Sequence, residues 1–102
     1  MAIDPKIVVG DRPTLEYYLV HAQTGVPITD ILSAKLRWRI GALPTVESVM
    51  SVDAPSSLVR YTFGVSEISI AGPMRAEVRI LDTANKPHTA GEIFTYPVRD
   101  SL

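Results

Sequence analysis

The amino-acid sequence predicts an all-β domain, an antiparallel sandwich of about seven short strands, and three observations carry that expectation. Eight prolines and six glycines are spread along the 102 residues, so no window between breakers is long enough for an extended helix. The intervening segments are rich in β-branched and aromatic residues. Several of them alternate apolar and polar side chains with a period of two, the pattern of a strand with one buried face.

The elements follow in order. Lys6–Val9 is a first short strand, and Thr14–His21 a second, with Leu15, Tyr17 and Leu19 on one parity and Glu16, Tyr18 and Val20 on the other. Tyr18 and Val20 make that second face more apolar than an exposed face requires, so loops or another chain are expected to cover it. Gln23-Thr24-Gly25 supplies a positive-φ residue for a hairpin connection. Ala34–Ile40 reads AKLRWRI, with Lys35, Arg37 and Arg39 opposing Leu36, Trp38 and Ile40. Trp38 is therefore assigned to the core rather than to an exposed stacking platform.

Val46–Val52 and Leu58–Phe63 are the next strands; in the latter Val59, Tyr61 and Phe63 oppose Leu58, Arg60 and Thr62. Val65–Ala71 carries a trace of helical spacing but is too short to hold a helix, and is read as a crossover between sheets. Met74–Leu81 alternates Met74, Ala76, Val78 and Ile80 against Arg75, Glu77 and Arg79. Asp82–Pro87 is a hairpin connection in which Asn85 tolerates a left-handed conformation. Glu92–Val98 contains Pro97, which marks an edge or bulged strand able to accept a strand from a neighbour. No linker or internal repeat divides residues 1–102, so a single domain is expected. Half-buried strands of this kind argue against a nucleotide-binding α/β fold.

Composition bounds the function. Ten Lys and Arg against eleven Asp and Glu leave a net charge of −1, so there is no overall attraction to polyanions and no nucleic-acid partner is expected. The absence of cysteine excludes disulfides, thiolate metal sites and a cysteine nucleophile, and fits assembly in a reducing compartment. No signal-peptide pattern opens the sequence and no window approaches the ~20 apolar residues of a membrane helix, so no membrane association is expected.

The search for chemistry returns little. His21 and His88 are far apart and lack neighbours at metal-ligand spacing. The serines form no nucleophile elbow, the carboxylates are scattered singly, and no phosphate-binding glycine loop or calcium loop occurs. The expectation is a non-enzymatic protein with no catalytic residues, no metal and no cofactor.

One constellation stands out. If Ala34–Ile40 neighbours Met74–Leu81 in one sheet, Lys35, Arg37, Arg39, Arg75 and Arg79 surround Glu77 on the outward face. This is either a solvated sheet face whose arginine stems cover apolar surface, or a docking surface for an acidic protein partner. Tyr18 joins these residues as a candidate interface position. A glycan or receptor bound by exposed aromatics is the alternative.

Taken together, GDRPTLEYYLV, TGVPITDILSAKLRWRI, LVRYTFGVSEISIAGPMRAEVRILDTANKPHT and IFTYPV resemble the immunoglobulin-like domains of tailed-phage virion proteins. The layout is similar to the amino-terminal domain of baseplate upper proteins. The resemblance covers nearly the whole chain and rests on turn and core positions. Two departures are Asn85, where the family has a turn glycine, and Pro73-Met74, which replaces a small residue and a tyrosine after Gly72. It implies an immunoglobulin-like β-sandwich serving as a structural module of a phage or prophage particle, in the tail, baseplate, neck or head decoration. It also implies assembly in the host cytoplasm, other virion structural proteins as partners, and several symmetry-related copies.

Overall fold

The computed structural model describes residues 7–89 and 94–100. Among them are nine strands: β1 (Ile7–Val8), β2 (Thr14–Tyr18), β3 (Ile31–Ile40), β4 (Val46–Val49), β5 (Ser51–Asp53), β6 (Leu58–Thr62), β7 (Gly72–Asp82), β8 (Pro87–Thr89) and β9 (Phe94–Arg99). The only helical element among the described residues is a single 3₁₀ turn at Ala54–Ser56. The strands form two sheets. The larger runs β1-β9-β7-β3-β4, with β8 paired to β7, and the smaller runs β2-β6-β5.

The all-β expectation holds, but the arrangement departs from an antiparallel set of about seven strands. The larger sheet is mixed, because β1 runs parallel to β9. Val46–Val52 is two strands rather than one: the chain leaves the larger sheet after β4 and enters the smaller as β5, turning at Met50. Met50 is buried, and its N–H donates to the Ala34 carbonyl at 2.9 Å, so the switch costs no unpaired donor. Finally, β8 extends the hairpin beyond the predicted turn and pairs with Arg79–Leu81. In that turn Asn85 adopts φ 62°, the left-handed conformation expected of it.

Pro97 does not lie on a sheet edge. β9 sits between β7 and β1, and Pro97 stands opposite Pro73. Two residues without N–H groups can face each other because the Pro73 carbonyl points the other way, accepting from Gly41 N–H at 2.9 Å. This rung is therefore one that needs no cross-strand donor. Gly72, just before it, has φ 143°, which a side chain would resist. Residues 92 and 93 of the predicted last strand and Lys6 of the first lie outside the described residues.

β3 begins three residues earlier than its clean alternation suggests, because a register shift separates Ile31 from Ser33. Ile31 points inward, and beyond the bulge the buried positions become Ala34, Leu36, Trp38 and Ile40. One extra residue flips the face, which is what a bulge does.

Both sheets contribute to one core. Trp38, from the larger sheet, is 5% exposed and meets Phe63, which follows β6, edge-on at 4.9 Å and 70°. Tyr61 also meets Phe63 edge-on, at 4.9 Å, while Tyr17 of β2 tilts against Phe94 of β9 at 4.6 Å. Aromatic pairs in these geometries contribute about 0.5–1.5 kcal/mol beyond burial. The Tyr17 and Tyr96 hydroxyls join the sheets at 2.7 Å, and burial followed by that hydrogen bond pushes the Tyr17 phenol far above its usual range.

Residues 63–71 cross from the smaller sheet to the larger, as the sequence predicts, with Phe63 and Ile68 buried. Glu67 ties this crossover down by accepting from Gly64 N–H and the Tyr61 hydroxyl.

Candidate docking face

β3 and β7 form the longest ladder, and its register decides what the outer surface looks like. Lys35 stands opposite Arg79, Arg37 opposite Glu77, and Arg39 opposite Arg75. Because side chains alternate across a pleated sheet, all six lie on the face away from the core. The five predicted cations are thus brought together on one surface, and they are half of the chain's ten Lys and Arg residues.

β4 adds a second carboxylate. Glu47 is opposite Arg37 on the far side of β3, so Arg37 lies between two acids. Its Nη1 is 3.3 Å from Glu77 Oε1, and its Nε is 3.7 Å from Glu47 Oε2. Lys35 Nζ is 3.2 Å from Glu47 Oε1. The sequence alone places only Glu77 among these cations. The short link 41–45, with Gly41 and Pro44, was the available signal that β4 doubles back beside β3 and brings Glu47 with it.

The remaining three cations are different. Arg39, Arg75 and Arg79 form no ion pair among the described residues. Arg39 and Arg75, opposed on one rung, border a notch of about 180 Å³ completed by Thr45 and the Arg37–Glu77 pair. Trp38 lies beneath, its indole N–H donating to Ser48 Oγ at 3.1 Å, so the ladder that aims the arginines is anchored in the core.

Tyr18 is not part of this surface. It sits on β2 in the smaller sheet, opposite Leu58, and is 58% exposed. It helps to line a separate cleft of about 730 Å³ between the sheets, with Tyr17, Leu19, Ile80, Phe94 and His88 among the walls. At its rim the buried Asp82 accepts from Ala84 and Lys86 N–H with one carboxylate oxygen and meets His88 Nε2 at 2.9 Å with the other. The His88 contact, then the Lys86 N–H, holds the Asp82 carboxyl below its ordinary value. Every oxygen of that carboxylate is engaged, and it braces the β7–β8 hairpin.

Among the described residues no three His, Cys, Asp or Glu side chains cluster to hold a metal, and no helix is long and apolar enough to cross a membrane. No protein-family model matches the chain, and neither does any curated protein sequence.

Proposed function

We propose that this chain is a non-enzymatic structural module that works by docking the outer face of its larger sheet onto an acidic surface of another protein. The observation that carries this reading is the charge surplus of that face: five cations stand around two carboxylates in a chain whose net charge is −1. Arginine is favoured at interface centres because its planar fork binds carboxylates with geometric specificity while its stem packs on apolar surface.

The finer fold belongs to the same proposal. An immunoglobulin-like sandwich of the kind found in tailed-phage virion proteins accommodates two sheets sharing one aromatic core, a chain that switches sheets at Met50 and again through residues 63–71, and the resemblance of GDRPTLEYYLV through IFTYPV. In that setting the partner is another virion structural protein, met in several symmetry-related copies in a tail, baseplate, neck or head.

The test is charge reversal at Arg39 and Arg79 together. Neither is ion-paired among the described residues, so the double variant folds, and unfolding midpoints check that it does. Its incorporation into particles assembled with the variant in place of the native chain should fall by an order of magnitude or more. Native-level incorporation rejects the face as an interface.

A second reading is favoured by one observation: Tyr18 is more than half exposed at the edge of the inter-sheet cleft, where its ring can stack against a sugar. Specific glycan-array binding by the isolated chain, lost in Tyr18→Ala, would support a carbohydrate- or receptor-binding module instead.

A further inference from the structure

We infer that the outer face of the larger sheet reads a charge pattern of minus, plus, minus along an extended segment of its partner, rather than negative charge in general. The inference rests on the docking reading above and specifies the partner's chemistry.

The register supplies the pattern. Along β3 and β7 the rungs are Lys35–Arg79, then Arg37–Glu77, then Arg39–Arg75. The first and third carry two cations each. The middle rung, with Glu47 joining from β4, carries two carboxylates around one guanidinium, Glu47 being shared with Lys35 of the first rung. The face is therefore positive, negative, positive, and the outer rungs are four residues apart, about 13 Å at the ~3.3 Å rise of a strand.

Like charges placed directly opposite one another destabilise a sheet. Arg39 and Arg75 face each other with no acid paired to either among the described residues, and Arg79 is likewise unpaired although Lys35 opposite it holds Glu47 at 3.2 Å, a departure from local stability of the kind that accumulates where a surface serves binding. A single acidic group inserted at Arg39–Arg75 meets two guanidinium forks and the Thr45 side chain around the notch of about 180 Å³. A second engages Arg79, the unpaired cation of the Lys35–Arg79 rung. Between them, the negative middle rung repels a third acid and accepts a base. An extended segment has the matching geometry, because its residues i, i+2 and i+4 share one face. The occupant is thus an acidic protein strand with carboxylates at i and i+4 and a basic or neutral residue at i+2.

Two capped peptides of the same composition and net charge separate pattern from bulk attraction: Glu-Thr-Lys-Thr-Glu and its scramble Glu-Glu-Lys-Thr-Thr. Each is titrated into the full chain at low ionic strength while the arginine Nε–Hε and backbone amide NMR signals are followed. The patterned peptide should produce saturable shifts at Arg39, Arg75 and Arg79 and bind about fivefold more tightly, the value of one unit-charge contact near 4 Å in water. Arg75→Gln and Arg79→Gln should each erase that preference, whereas Arg60→Gln, on the smaller sheet, should leave it intact. Equal affinities, or no saturable shift at these arginines, overturn the pattern. If that happens while reversal of Arg39 and Arg79 still blocks incorporation, docking stands and only the pattern falls.

Discussion

Arg39 and Arg75 occupy directly opposed positions on β3 and β7, two like charges on one rung of the central ladder with no acid paired to either among the described residues. At the next pair on the same face the same strands oppose Arg37 to Glu77 at 3.3 Å. The fold tolerates the first arrangement because both guanidiniums are exposed and screened by water, and the second shows what a stabilising choice at that position looks like.

Arg39→Glu should therefore raise stability. It converts an opposed like pair into an opposed ion pair, a gain of about 0.5 kcal/mol and an increase in Tm of about 2–4 °C for a domain of this size. The gain should shrink in about 1 M salt, where the Debye length is only ~3 Å. Thermal unfolding at two ionic strengths checks it, and a destabilised variant would show that Arg39 is engaged within the fold.

Trp38 spans the core from β3 to Phe63, so Trp38→Ala should cost about 3–5 kcal/mol. Small domains have ~5–15 kcal/mol in total, so the variant should be largely unfolded at modest urea concentrations. Trp38→Phe should cost less, because it keeps an aromatic edge for Phe63 but leaves Ser48 Oγ without its indole donor. Urea titrations followed by circular dichroism distinguish the two.

Ser57 closes the 3₁₀ turn with φ 56° and is completely buried, its backbone N–H donating to the Ala54 carbonyl and its carbonyl accepting from Leu19. Its Oγ has no hydrogen-bond partner among the described residues. Ser57→Ala removes that unsatisfied hydroxyl without changing the backbone demand, so the variant should gain about 1 kcal/mol. A loss of the same size in denaturant titrations would mean that the hydroxyl is satisfied after all.

Asp82 should govern part of the acid limb of stability. Its carboxyl is held below the ordinary value of 3.8, by His88 first and then by the Lys86 N–H. A depressed carboxylate contributes stability that is fully present above the unfolded-state value and is lost as pH falls through the lower folded-state value. The Tm contributed by Asp82 should thus persist from neutrality down to about pH 3.8 and be lost below it, and Asp82→Asn should start lower and lose less over that acid interval. Parallel slopes would remove Asp82 from the acid response.

Much of the β architecture was legible because its cause is local. The alternation in AKLRWRI and MRAEVRI identifies the buried parity of β3 and β7 without reference to any partner, and Trp38 and Val78 are buried accordingly. Val46–Val52 misled because a continuous run of strand-forming residues carries no mark of the sheet change at Met50; burial of that side chain and its bond to Ala34 are what divide it. Pro97 read as an edge marker because one strand alone does not show that Pro73 faces it across a rung needing no donor. At the docking face the sequence reading reached five cations and Glu77, while Glu47 became part of the site only through the β3–β4 hairpin.

By itself the sequence determined that these strands have a wet face and a dry one, and that five of its cations belong to the wet one, since the direction of a side chain from a pleated backbone depends only on its parity. Tertiary structure alone decided which charges stand opposite which. Lys35 meets Arg79, Arg37 meets Glu77 and Arg39 meets Arg75 across some forty residues of chain, and that register is set by closing one aromatic core between two sheets, a condition no single segment contains.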